Sequence, residues 1–170
     1  MRVIIRFVSC VVLLVAACDM ARAEDWMRFR GPNGQGISRE VDLPVTWSAT
    51  DNVAWKTSIP GNGWSSPIVY DDRVFLTTTT EEGVSCRVLC VDRNDGSIVW
   101  NTEVHRQNPG PKREQNSYAT PTPVTDGKRV YAVFYDGTAV AVDFSGRLDW
   151  KNSEVKFHSL HGLGASPLLA

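Results

Sequence analysis

From residue 66 onward, short runs rich in Val, Ile, Thr and Tyr alternate with clusters of Gly, Asp, Asn and Pro, with little helical periodicity. Runs of this composition bounded by turn residues read as strands. The clearest are Arg73-Val-Phe-Leu-Thr-Thr, Arg87-Val-Leu-Cys-Val, Ser97-Ile-Val-Trp-Asn, Arg129-Val-Tyr-Ala-Val-Phe and Thr138-Ala-Val-Ala-Val. Hairpin signals lie between them at Asn94-Asp95-Gly96, Asp136-Gly137 and Ser145-Gly146. Glycine in such a turn supplies the positive φ that a tight reversal needs. The pattern predicts an all-β chain.

These runs recur as a unit. Pro67 and Pro123 each stand seven residues before the Val of the next strand, Val74 and Val130. The run Val88-Leu-Cys-Val-Asp92 then leads through Gly96 to Trp100, and Ala139-Val-Ala-Val-Asp143 leads through Gly146 to Trp150. In both copies the tryptophan follows the glycine by four residues. A third ending appears at Asn52-Val-Ala-Trp55-Lys, and a third opening at Gly164-Ala-Ser-Pro167-Leu-Leu. The tryptophans are 45 and 50 residues apart. A period of about 40–50 residues with four strands per unit is that of a propeller blade.

The expected strands of the first full blade are Ser66–Tyr70, Arg73–Thr79, Cys86–Asp92 and Ser97–Glu103. Those of the second are Ala119–Val124, Arg129–Tyr135, Thr138–Asp143 and Arg147–Asn152. Asn52–Ile59 is expected as an outer strand of a ring-closing blade. The predicted fold is a partial β-propeller of four-stranded antiparallel blades, about two complete ones with parts of their neighbours. It occupies residues 52–170 and follows an extension over 24–51. An arc of this kind, read as the first piece of a longer propeller, leaves a blade face and strand edges to be covered.

The first 23 residues change the compartment rather than the fold. Arg2 and Arg6 precede the apolar run Phe7 to Ala17, and Ala21-Arg22-Ala23 fits a signal-peptidase site. The apolar run is far shorter than the roughly 20 residues that cross a bilayer as a helix. Val15-Ala16-Ala17-Cys18 also fits a bacterial lipobox, so cleavage after Ala23 and lipidation at Cys18 both stand as readings. Export to the periplasm or outside the cell is expected either way, with membrane attachment only through a lipid on Cys18.

Removing Arg2, Arg6, Arg22 and Asp19 from 18 basic and 19 acidic residues leaves 15 against 18. With no basic run beyond Lys112-Arg113, a nucleic-acid partner is not expected. Cys86 and Cys90 fall on one predicted strand, roughly 13 Å apart, beyond the reach of a disulfide. They read as core residues.

The strand-Asp-x-x-x-Gly-x-x-x-Trp pattern resembles the PQQ (pyrroloquinoline quinone)-like repeat of quinoprotein dehydrogenases and related non-enzymatic propellers. Trp26-Met-Arg-Phe-Arg-Gly-Pro-Asn-Gly-Gln-Gly, Leu43-Pro-Val-Thr-Trp47-Ser and Gly63-Trp-Ser-Ser-Pro67 resemble the opening of bacterial secreted members. The resemblance spans about Glu24 to Ala170. It implies that Trp55, Trp100 and Trp150 are structural repeat positions docking between blades, with Asp92, Asp143, Gly96 and Gly146 forming the repeated turn. It carries the architecture further than the activity, because the family includes enzymes and non-enzymes.

Other candidate chemistry reads as structure. Asp92-Arg-Asn94-Asp95-Gly96 lacks the spacing and the bidentate Glu of a calcium loop. His158 and His161 are three apart but on no predicted helix, and His105 stands alone; an inter-blade connection is the expected role of residues 158–164. The polar stretch Gln107 to Asn116, with Lys112 and Arg113, is expected as a loop on a propeller face, where binding functions commonly sit. No phosphate loop, Gly-x-Ser-x-Gly motif or catalytic site is found in the sequence.

The leading expectation is a non-catalytic, exported binding or scaffold module, with no cofactor and with a protein or small ligand on a propeller face. One alternative is a dehydrogenase that uses PQQ and calcium to oxidise an alcohol or sugar. Another is a propeller module of a longer multidomain protein.

Overall fold

The computed structural model describes residues 23–155, 157 and 161–170. Residues 1–22, with Cys18 and most of the expected signal, and His158 lie outside the described residues. Among the described residues there are eight strands: β1 (Ile68–Tyr70), β2 (Arg73–Thr80), β3 (Ser85–Asp92), β4 (Ile98–Arg106), β5 (Val124–Thr125), β6 (Arg129–Val133), β7 (Ala139–Asp143) and β8 (Leu148–Asn152). They form two four-stranded sheets, β1-β2-β3-β4 and β5-β6-β7-β8, in which every neighbouring pair is antiparallel. The chain is a partial propeller, with two blades among the described residues.

The strand ends depart from the expected ones for identifiable reasons. β4 runs on to Arg106 because Cys86 pairs with His105 and Ser85 with Arg106. β5 is reduced to Val124–Thr125 because the preceding backbone is used across blades: the Ala119 carbonyl accepts from the Trp64 and Ser65 amides, both at 3.1 Å. β6 stops at Val133 because the next residue opens the turn, with Phe134 N–H donating to the Thr138 carbonyl. Asn52–Ile59 does not form the expected strand among the described residues. Its contacts run to a turn of the first blade rather than to a ladder partner.

The core is the seam between the blades. Ile68, Phe75, Cys86 and Cys90 of the first blade pack with Val130, Ala132, Val140 and Val142 of the second in one buried cluster. The period-two alternation of β2 makes this possible. Phe75 reaches the second blade, with its ring 4.9 Å from that of Phe144, whereas Val74 and Leu76 line the opposite face beside Trp55. Cys86 and Cys90 are free, buried thiols, and burial in this seam pushes both above the usual thiol range.

The segments that lead into β1 and β5 are tied to each other and to Ser166 by hydroxyls. The Ser66 amide donates to Thr122 Oγ1 at 3.0 Å, and the Thr122 amide donates to Ser166 Oγ at 3.0 Å. Each hydroxyl belongs to the residue just before a proline, Pro123 and Pro167. The extension adds a second tie: Trp26 exchanges backbone hydrogen bonds with Val69 of β1, and the Met27 carbonyl accepts from Thr125 of β5. A short arm thus bridges the inner strands of both blades.

Candidate functional site

Two of the repeated tryptophans, Trp100 on β4 and Trp55 in the segment before β1, reach into the turn of the following blade. Trp100 Nε1 donates to the Phe144 carbonyl at 3.0 Å, and Thr102 Oγ1 donates to the Gly146 carbonyl at 2.7 Å. One blade earlier, Trp55 Nε1 donates to the Arg93 carbonyl at 2.8 Å and Thr57 Oγ1 to the Gly96 carbonyl at 2.5 Å. Trp55 and Trp100 therefore spend their polar handles on structure. Trp150 is 43% exposed and stacks 6.2 Å from Tyr131, in the place that the Phe75–Trp100 pair holds in the first blade.

The receiving turns are built by Asp92 and Asp143. Asp92 Oδ1 accepts from the Asn94 amide at 2.8 Å, and Asp143 Oδ1 from the Ser145 amide at 2.9 Å. Hydrogen bonds from the Ser145 hydroxyl and the Arg147 amide hold the Asp143 carboxyl down at about 2. Gly96 and Gly146 have φ of 75° and 85°, and each lies flat against an indole. Both blades also carry a register shift at the same place, after Cys90 and after Ala141, which sets the tryptophan on the outer strand opposite those residues.

His105 and His161 do not converge. His105 Nε2 lies 2.9 Å from Asp136 Oδ2 and 3.2 Å from Thr138 Oγ1, joining β4 to the β6–β7 turn across the seam. His105 Nδ1 is buried with no hydrogen-bond partner among the described residues. His161 lies elsewhere: its ring accepts from Arg113 at 3.2 Å and its carbonyl accepts from Asn116, which fixes residue 161 to the 107–116 loop. Among the described residues, no group of three His, Cys, Asp or Glu side chains could hold a metal.

The open chemistry is gathered at the end of the blades where the inner strands begin. A cavity of about 380 Å³ lies between the loop entering β1, the turn joining β2 to β3, and the 107–118 loop. Its lining includes Asn62, Trp64, Glu82, Lys112, Glu114 and Asn116. Trp64 is 62% exposed although its backbone is fixed by hydrogen bonds from its amide to Ser117 Oγ at 3.0 Å and to the Ala119 carbonyl. Lys112 Nζ stands 5.4 Å from the Tyr118 ring centre, and the Tyr118 hydroxyl donates to the Gly110 carbonyl at 2.9 Å. The polar-loop motif pointed to Lys112; Trp64 went unnoticed as a site residue because it belongs to no repeat position.

Comparisons with known proteins follow this architecture. Among solved structures, quinohemoprotein alcohol dehydrogenase ADHIIG from Pseudomonas putida HK5 is similar at 19% identity and a TM-score of 0.56, over 86% of this chain and 21% of that one. BamB from Moraxella catarrhalis is similar at 21% identity and a TM-score of 0.46, over 60% of this chain and 28% of that one. A europium-containing methanol dehydrogenase shares 15% identity with a TM-score of 0.42, over 61% of this chain and 18% of that one. The chain spans at most 28% of the length of these structures, and its likeness to the alcohol dehydrogenase is one of fold. No curated protein matches it in sequence. The family model described as outer membrane protein assembly factor BamB matches residues 37–154. With that match over more than half its length, the chain belongs to the PQQ-like β-propeller repeat family.

Proposed function

We propose that the chain is an exported, non-catalytic binding module that engages its ligand in the cavity beside Trp64. The observation that carries this reading is the indole itself, exposed on a fixed backbone at the mouth of a cavity of ligand-binding size. Trp55 and Trp100 use their Nε1 groups to join blades, whereas Trp64 has no such task. The matched family's description as an assembly factor agrees with binding rather than turnover. Export rests on the charged and apolar pattern of the first 23 residues.

The cavity is a poor seat for PQQ. That cofactor is a tricarboxylate, while the lining carries Glu82 and Glu114 against the single ammonium of Lys112. Bringing three further carboxylates beside two would cost Coulomb energy that one lysine does not offset. The test is reconstitution of the full chain with PQQ and calcium, followed by desalting. The expected result is no retained quinone absorbance and no dye-linked oxidation of alcohols or sugars. Stoichiometric quinone retention with turnover would overturn the proposal in favour of a dehydrogenase.

A further inference from the structure

We infer that the cavity beside Trp64 takes a neutral oligosaccharide, which it holds unchanged; this deepens the binding-module reading and rests on it. The polar groups select the ligand. Glu82 and Glu114 only accept hydrogen bonds when ionised, Lys112 only donates, and the amides of Asn62 and Asn116 can in principle do both. A ligand that suits all of them must donate and accept at closely spaced points. Vicinal hydroxyls do this.

Charge narrows the choice further. The two carboxylates oppose an anionic ligand, and the Lys112 ammonium opposes a cation that would settle between them. Lys112 already stands over the Tyr118 ring, so a ligand cation approaching that face would meet a like charge. A neutral ligand meets neither penalty. It needs no charge neutralisation, and its hydroxyls can both donate to the carboxylates and accept from Lys112.

Trp64 supplies the remaining requirement. The faces of a sugar ring carry C–H bonds with slight positive polarity, which match the negative face of an indole. Such a platform must be rigid, and this one is. The Asn62 amide and carbonyl both bond Thr79, and Gly63 packs so closely on β2 that a side chain would not fit. The Asn116 side chain donates to the His161 carbonyl, which leaves its carbonyl oxygen for a ligand hydroxyl. Cavities of about 300–1,000 Å³ hold small ligands, and this one at about 380 Å³ suits one or two sugar rings.

The test is a calorimetric and tryptophan-fluorescence titration of the full chain with maltose, cellobiose, xylobiose and N,N′-diacetylchitobiose, with digalacturonate as the anionic counterpart. At least one neutral disaccharide is expected to bind, more tightly than digalacturonate. Trp64→Ala should weaken that binding by about tenfold or more, the value of one lost stacking face. Trp47→Ala, another exposed tryptophan outside the cavity, should leave it unchanged. Because Trp64 is largely exposed, its variant should unfold at the wild-type urea midpoint, which separates lost binding from lost folding. If no neutral disaccharide binds, or digalacturonate binds best, or Trp64→Ala binds as the wild type does, the saccharide inference is overturned. None of these outcomes produces quinone retention, so the module reading stands or falls separately on the PQQ experiment.

Discussion

The contact between Trp100 and Gly146 should be the most informative single point at which to perturb the arc. A Cβ placed on Gly146 would stand 2.7 Å from Trp100 Cδ2 and 2.8 Å from Cγ, at a φ of 85°. Two costs follow for Gly146→Ala. The left-handed backbone costs about 1 kcal/mol for a residue with a Cβ. Displacing the indole adds overpacking and disturbs its bond to the Phe144 carbonyl, about 2 kcal/mol more. The expected loss is about 3 kcal/mol.

Two other glycines separate these terms. Gly36 has a φ of 76° but its nearest prospective neighbour is Arg30 Nε at 3.5 Å, so Gly36→Ala should cost only the backbone term, about 1 kcal/mol. Gly164 has no positive φ and no atom of the described residues within 4 Å of an added Cβ, and Gly164→Ala should be neutral or slightly stabilising. The assay is equilibrium urea unfolding, read as a shift in midpoint at constant slope. A double-mutant cycle completes it: in a Trp100→Ala background the clash is gone, and Gly146→Ala should cost about 1 kcal/mol. An undiminished cost in that background, or a wild-type cost equal to that of Gly36→Ala, would refute the docking argument.

Three further outcomes are expected. Burial raises the Asp136 carboxyl, but the Thr138 amide, His105 and the Thr138 hydroxyl outweigh it and hold the group below its usual range. A depressed carboxyl stabilises the fold above its unfolded value and loses that contribution as pH falls through the lowered one. Asp136→Asn should therefore cost about 2 kcal/mol at neutral pH, with the gap to wild type closing below about pH 4 in pH-dependent urea unfolding. Thr122→Val removes the acceptor for the Ser66 amide and should cost about 1–2 kcal/mol, with faster hydrogen exchange at that amide. Cys18→Ala should leave export unchanged, and N-terminal sequencing of the exported chain should begin at Glu24; retention of the wild type in the envelope, lost in the variant, would establish lipidation instead.

The blades were legible in the sequence because each blade must present the same surface to the next. Trp100 and Trp150, and Asp92-to-Gly96 and Asp143-to-Gly146, repeat because each joint needs an indole, a glycine that admits it and an aspartate that folds the turn. What was lost came from contacts between units. β5 shrank because the Ala119 carbonyl serves the first blade, a backbone interaction without a residue signature. The His105–Asp136 pair joins residues 31 apart on different blades, and neither residue recurs. The extension showed no strand pattern because its pairing is confined to Trp26 and Met27.

The same reasoning explains why the candidate site was nearly invisible. A residue that recurs once per blade serves the joints, and a ligand site on a propeller is by contrast unrepeated. Trp64 stands two residues before Ser66, in the loop that opens the first blade, where the second blade has Thr120 before Thr122. That loss of symmetry is informative. Thr120 is tied locally, its hydroxyl donating to the Ser117 carbonyl at 2.9 Å, whereas Trp64 is held by its backbone and leaves its ring in solvent. In a chain whose stability comes from repetition, the departures from the repeat are where selection for binding can act without weakening the joints. Trp64→Ala and Trp100→Ala should therefore divide cleanly: about 3 kcal/mol of stability lost with Trp100, and ligand binding lost with Trp64 at unchanged stability. A Trp64→Ala protein that unfolds as early as Trp100→Ala would place this indole among the joints and remove the cavity's claim to be the site.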